Sequence, residues 1–228
     1  MSNQRRRPLR DNSLSIVFGL LLLVTLAAQA VSGAALYNEQ ARTAGLQEIS
    51  FARYLSSSQF AVDVAENWQS EYLQFTLYIL LTVWLIQRGS SESKKPGESG
   101  RESDEKQHVG PFALPDSPRW ARAGGWRTAV YSHSLVSVMA VIFLLSWAAQ
   151  AVAGRVANNQ DRMRNLLPPE GLASYIGSAD FWSRTLQNWQ SELLAIASMA
   201  VFAIYLRERG SPESKLVGAP HVETSSDD

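Results

Sequence analysis

LSIVFGLLLLVTLAAQAVSG, residues 14–33, decides how the rest of the chain is read. No residue from 13 to 38 is charged, and a helix needs roughly 20 such residues to cross about 30 Å of hydrocarbon. A second stretch, LVSVMAVIFLLSWAAQAVAG at 135–154, lies inside another uncharged run, 128–154. Two shorter apolar blocks occupy 72–87 and 193–206. At about 1.5 Å per residue their uncharged lengths reach only about 24 and 21 Å. They span if the polar ends, NWQSE before and QRG or RERG after, enter the interface, which snorkelling arginines and local thinning allow. The pattern predicts four spans.

Averages hide this. Over 228 residues the mean hydropathy is −0.12, a value typical of soluble chains, because the apolar residues are bunched. With 21 basic against 21 acidic side chains there is no electrostatic case for nucleic acid. No cysteine is present, which excludes disulfides, thiolate zinc sites and a cysteine nucleophile. Placing the N-terminus, the middle segment and the tail on one side gathers 15 of the 21 Lys and Arg residues there. Arg5, Arg6, Arg7 and Arg10 precede the first block; Arg119, Arg122 and Arg127 precede the third. The basic side is cytoplasmic, so both termini are expected inside.

Shifted by 121 residues, the chain matches itself without a gap. AAQAVSG at 27–33 meets AAQAVAG at 148–154, NWQSE at 67–71 recurs at 188–192, and RGSSESK at 88–94 returns as RGSPESK at 209–215. Of the 82 positions aligned, 13–94 against 134–215, 29 are identical, too many for chance. A signal peptide with a cleavage site at Ala28-Gln29-Ala30, or a twin-arginine signal, is the competing reading of the first block. The recurrence of that site mid-chain disfavours it. Each unit holds an even number of spans, so the two insert in parallel, unlike the inverted repeats of many transporters.

The expected organisation is a basic N-terminus (1–12), a first repeat (13–88) with an outer loop at 34–66, and a flexible cytoplasmic linker (89–127). A second repeat (128–209) with an outer loop at 155–187 and a disordered tail (210–228) follow. The linker's Ser, Glu, Lys, Gly and Pro content cannot bury a core. In the outer loop, Phe60, Val64 and Trp68 form an apolar stripe, and Asp63 with Glu66 resembles an N-terminal capping box.

The doubled NWQSE ahead of an apolar run, the doubled RGSxESK after it and the paired outer loops resemble a family of uncharacterised bacterial multi-pass transmembrane proteins. That family is catalogued only as a domain of unknown function. The resemblance covers residues 13–215. It implies a bacterial membrane location and brings no activity, ligand or catalytic residue. Tyr37-Asn38-Glu39-Gln40 has the form associated with the family's outer loop, whereas the second copy reads Asn158-Asn159-Gln160-Asp161, which puts any role of that stretch there in doubt.

At membrane depth a polar side chain needs a partner. Thr25, Gln29 and Gly33 share one face of the first span, and Ser146, Gln150 and Gly154 repeat that face on the third. Small residues allow close helix approach and an amide bonds across it, so these read first as packing faces. Glu71 and Glu192 lie about one turn inside the outer ends of their helices. With Gln29, Asn67, Gln150 and Asn188 they form a candidate outer cluster able to hold a cation or amine, or to accept a proton. The plainer reading is a carboxylate at a helix start, steadied by the helix dipole and interfacial water. His108, His133 and His221 do not converge as a metal site, and no phosphate loop, nucleophile elbow or HExxH occurs. Repeated Ser-x-Glu-Ser-Lys reads as a solvated helix end.

The sequence therefore predicts an all-α, integral membrane four-helix bundle built from two tandem, parallel two-helix repeats in the bacterial cytoplasmic membrane. It is expected to be no enzyme, to need no cofactor or metal, and to serve a structural, accessory or partner-binding role. Its partners are the lipid bilayer and a second copy or another membrane protein, without nucleic acid; any small-molecule ligand is unknown. The alternative is a small transporter, channel subunit or ion-responsive sensor using the outer cluster.

Overall fold

The computed structural model describes residues 8–224, so Arg5, Arg6 and Arg7 of the basic N-terminus and the last four residues of the tail lie outside the described residues. Among these the chain is helical, with no strand. It divides into two compact units, Met1–Asp63 and Val64–Asp228. The first holds α1 (Pro8–Asp11), α2 (Ser13–Thr43), α3 (Phe51–Leu55) and the start of α4 (Ser58–Leu81). The second holds the rest of α4, α5 (Arg119–Ala123), α6 (Gly125–Ser132), α7 (Ser134–Arg164), α8 (Leu172–Ile176) and α9 (Ala179–Tyr205). Each of α7, α8 and α9 begins 121 residues after α2, α3 and α4.

Two described helices, α2 and α7, are long and apolar enough to cross a membrane. Each has 31 residues, and of their most apolar 18-residue stretches only 6% and 17% of residues are buried. The other two blocks fare differently. Helix α4 stops at Leu81, so residues 82–87 of the expected second span leave the helix, 82–84 in a turn closed by Leu85 N donating to Leu81 O at 2.8 Å. Helices α4 and α9, of 24 and 27 residues, rise about 36 and 40 Å, but much of that length is polar.

Helix starts and stops follow local chemistry. Ser57 Oγ accepts from Phe60 N at 3.2 Å, and Ser178 Oγ from Phe181 N at 3.2 Å. These serines are the caps. The Asp63/Glu66 capping box is therefore corrected: Asp63 lies inside α4, where it accepts from Gln59 Nε2 at 3.1 Å. Helix α2 ends in a Schellman turn, with Leu46 N on Ala41 O at 2.8 Å and Gly45 at φ +68°. The end of α7 repeats it, with Leu167 N on Arg162 O at 2.8 Å, but there Leu166 takes the left-handed position at φ +59°.

The loops after α2 and α7, expected on the outer side, are tied down by one amide each. Asn38 donates from Nδ2 to Ile49 O at 3.0 Å and accepts at Oδ1 from Ile49 N at 2.9 Å. Asn159 does the same to Glu170, at 3.0 and 2.8 Å. The departure of the second stretch from Tyr-Asn-Glu-Gln thus spares the residue that bonds. Tyr54 and Tyr175, both almost fully buried, press on Gly33 and Gly154, where a Cβ would overlap each phenol oxygen. Ala151, Tyr175 and Phe181 form the core of the second unit, with Trp147 packed on it.

The doubled RGSxESK is a folded turn where a solvated helix end is expected. Ser93 Oγ accepts from Gln87 N at 2.8 Å and Ser214 Oγ from Glu208 N at 2.9 Å. Lys94 donates to Gly100 O at 3.0 Å, and Lys215, 2% exposed, to His221 O at 3.2 Å and Glu223 O at 2.9 Å. Burial, and then the neighbouring Arg207 charge, hold the Lys215 ammonium below the ordinary lysine pKa. Residues 89–127, expected to be a structureless linker, also carry α5 and a short 3-10 turn at Gly110–Phe112.

Candidate functional site at the paired NWQSE segments

In the second unit the two NWQSE segments meet. Gln69, 0% exposed on α4, accepts at Oε1 from Trp189 Nε1 of α9 at 2.7 Å. One turn outward, Arg184 Nη1 pairs with Glu66 Oε1 at 3.0 Å, and its Nε reaches Asp180 Oδ1 at 3.4 Å. Tyr175 completes the chain by donating to Asp180 Oδ2 at 3.1 Å. Burial, and then the Asp180 charge, push the Tyr175 phenol well above the ordinary tyrosine pKa. Helix α7 contributes Gln150, also 0% exposed, whose Nε2 donates to Thr185 Oγ1 at 3.2 Å.

Aromatic rings wall this site. Trp147 packs on Phe143, Phe181, Trp182 and Trp189, with centroids 5.7 to 6.2 Å apart. Within that wall three buried polar atoms, Gln69 Nε2, Gln150 Oε1 and Trp147 Nε1, have no hydrogen-bond partner among the described residues. Each such atom costs about 1–3 kcal/mol. The site thus retains two donors and one acceptor, a capacity for hydrogen bonding. Among the described residues no three His, Cys, Asp or Glu side chains are grouped to hold a metal ion.

The expected cluster is assembled only in part. Glu71, exposed, and Glu192, half-buried, lie near enough for their charges to repel. Asn188 donates back to Arg184 O on its own helix at 3.0 Å, and Asn67 is exposed. Gln29 is half-buried on α2 in the first unit. Thr25 donates to Leu21 O at 2.9 Å, so its hydroxyl serves its own helix. Ser146 and Gly154 are buried on α7.

Gln69, Trp189, Thr185 and the Arg184–Glu66 pair escaped the sequence reading. The doubled NWQSE contains the first two, beside the charged and more conspicuous Glu71. The others occur in one copy alone: Val64, Asp63 and Gln187 stand where the second copy, or the first, has Thr185, Arg184 and Glu66. A search for matching residues passes over them. Glu66 and Arg184 also stand at different positions of the repeat, three residues apart in register, so aligning the two copies does not pair them.

Among the described residues these features define an all-helical chain with two helices able to cross a membrane and an aromatic, amide-lined buried site. Residues 5–226 match the model of the domain of unknown function DUF6766, and the chain belongs to that family. No curated protein and no solved structure matches it.

Proposed function

We propose that this is an integral membrane protein of the bacterial cytoplasmic membrane. It has four spans in two tandem, parallel two-helix repeats, with both termini inside and a non-enzymatic structural, accessory or partner-binding role. The observation that carries the reading is the uncovered apolar surface of α2 and α7. A core helix of a soluble protein buries such a surface, whereas Leu14, Leu23 and Leu145 stand 71%, 63% and 66% exposed. Leaving one leucine in water forfeits about 1.5–3 kcal/mol, so lipid or a partner helix must cover these faces. Ala30 supports retention of the first helix over cleavage, because it is 4% exposed within unbroken α2 and Gly33, just beyond it, packs on Tyr54.

Cysteine mapping of the Cys-free chain tests the topology. Glu48→Cys and Leu167→Cys are expected to react with an impermeant maleimide on intact cells, and Ser99→Cys only after permeabilisation. Labelling of Ser99→Cys from outside would overturn the arrangement.

A second reading, a small transporter, channel subunit or ion-responsive sensor, is favoured by one observation. Glu71 and Glu192 feel each other's charge, and Glu71 lies two residues along α4 from Gln69, a buried amide that retains hydrogen-bonding capacity.

A further inference from the structure

Helices α5 and α6 form an elbow immediately ahead of α7, turning at Gly124 and Gly125, whose φ angles are +70° and +59°. Trp120 and Trp126 meet edge to face, 5.9 Å between centroids, yet remain 44% and 67% exposed. Thr128 Oγ1 donates to Trp120 O at 2.8 Å and fixes the elbow. Arg127 stands over the Trp126 ring at 5.6 Å, and Arg119 and Arg122 are exposed beside it. None of the three arginines forms an ion pair among the described residues. No acidic residue occurs between Asp116 and Asp161. A surface that is aromatic and cationic, with a single acidic residue, Asp116, at its edge, attached to the start of an apolar helix, is matched by one environment: the headgroup layer of an anionic bilayer.

We propose that the α5–α6 elbow is an interfacial anchor that docks on anionic phospholipid at the inner leaflet, its two indoles among the glycerol groups and its three arginines on the phosphates. This rests on the membrane reading given above. Trp and Arg divide the work: indole rings favour the interface whatever the lipid charge, whereas the arginines supply a part that depends on lipid charge and salt. Docking would fix the entry of α7 and keep the preceding chain against the membrane.

The test uses the full chain carrying Ala123→Cys, labelled with an environment-sensitive fluorophore and reconstituted in vesicles of phosphatidylcholine with or without phosphatidylglycerol. With phosphatidylglycerol the probe is expected to shift to the blue and to be quenched by brominated lipid, and both signals should fall in molar salt. Arg119→Gln with Arg122→Gln and Arg127→Gln should weaken the docked state about five-fold per arginine, while the protein still inserts. A probe that stays in water in both lipids, in a protein that co-floats with the vesicles, overturns the anchor alone. Equal quenching in both lipids overturns the choice of anionic headgroups. Failure to co-float overturns the membrane reading and the anchor with it.

Discussion

Gly154 and Tyr175 occupy each other's space so closely that hydrogen is the largest side chain the helix accepts there. Gly154→Ala places a Cβ against the phenol and also within 3.1 Å of two ring carbons. Overpacking of this kind costs about 1–3 kcal/mol. Combining it with Tyr175→Phe removes the nearest atom but also the bond to Asp180. Thermal unfolding in detergent is expected to show Gly154→Ala well below the parent and the double variant above Gly154→Ala, a coupling that unrelated sites would lack. The glycine was legible in the sequence as a small residue on a packing face. Its partner was not, because Tyr175 reaches it from across the loop between α7 and α8, and spacing along one helix says nothing about that.

The two Schellman turns make a paired experiment at the scale of one element. Gly45 accepts the left-handed conformation without cost, but Leu166 pays about 1–2 kcal/mol for it and, 94% exposed, gains no packing in return. Leu166→Gly is expected to stabilise the protein by roughly 0.5–1 kcal/mol, after allowing for glycine's freedom in the unfolded chain. Gly45→Leu should lose about 1–2 kcal/mol. Denaturation midpoints in detergent check both; a loss of stability in Leu166→Gly would show that the side chain has a use beyond the turn. Helix α2 and helix α7 were readable from uncharged length. The ends of α4 were not, because the apolar block runs on past Leu81 while the backbone turns, and the cap is set by Ser57 rather than by the more conspicuous Asp63.

At the scale of the whole molecule the two readings of function part over the carboxylates. Glu71→Gln with Glu192→Gln removes both charges and keeps the shape. If the role is structural or partner-binding, ion flux in reconstituted vesicles is expected to stay unchanged; a large loss of flux would favour the transporter or sensor reading. Composition and the 121-residue echo were enough to determine that the chain is helical and to locate α2 and α7, because burying or dissolving an apolar helix depends on its own side chains. Which side chains meet was decided only by the tertiary structure. The indole of Trp189 finds Gln69 across 120 residues, and Arg184 finds Glu66 across 118. Hydrogen bonds and ion pairs act over a few ångströms of space, and sequence separation carries no record of that distance.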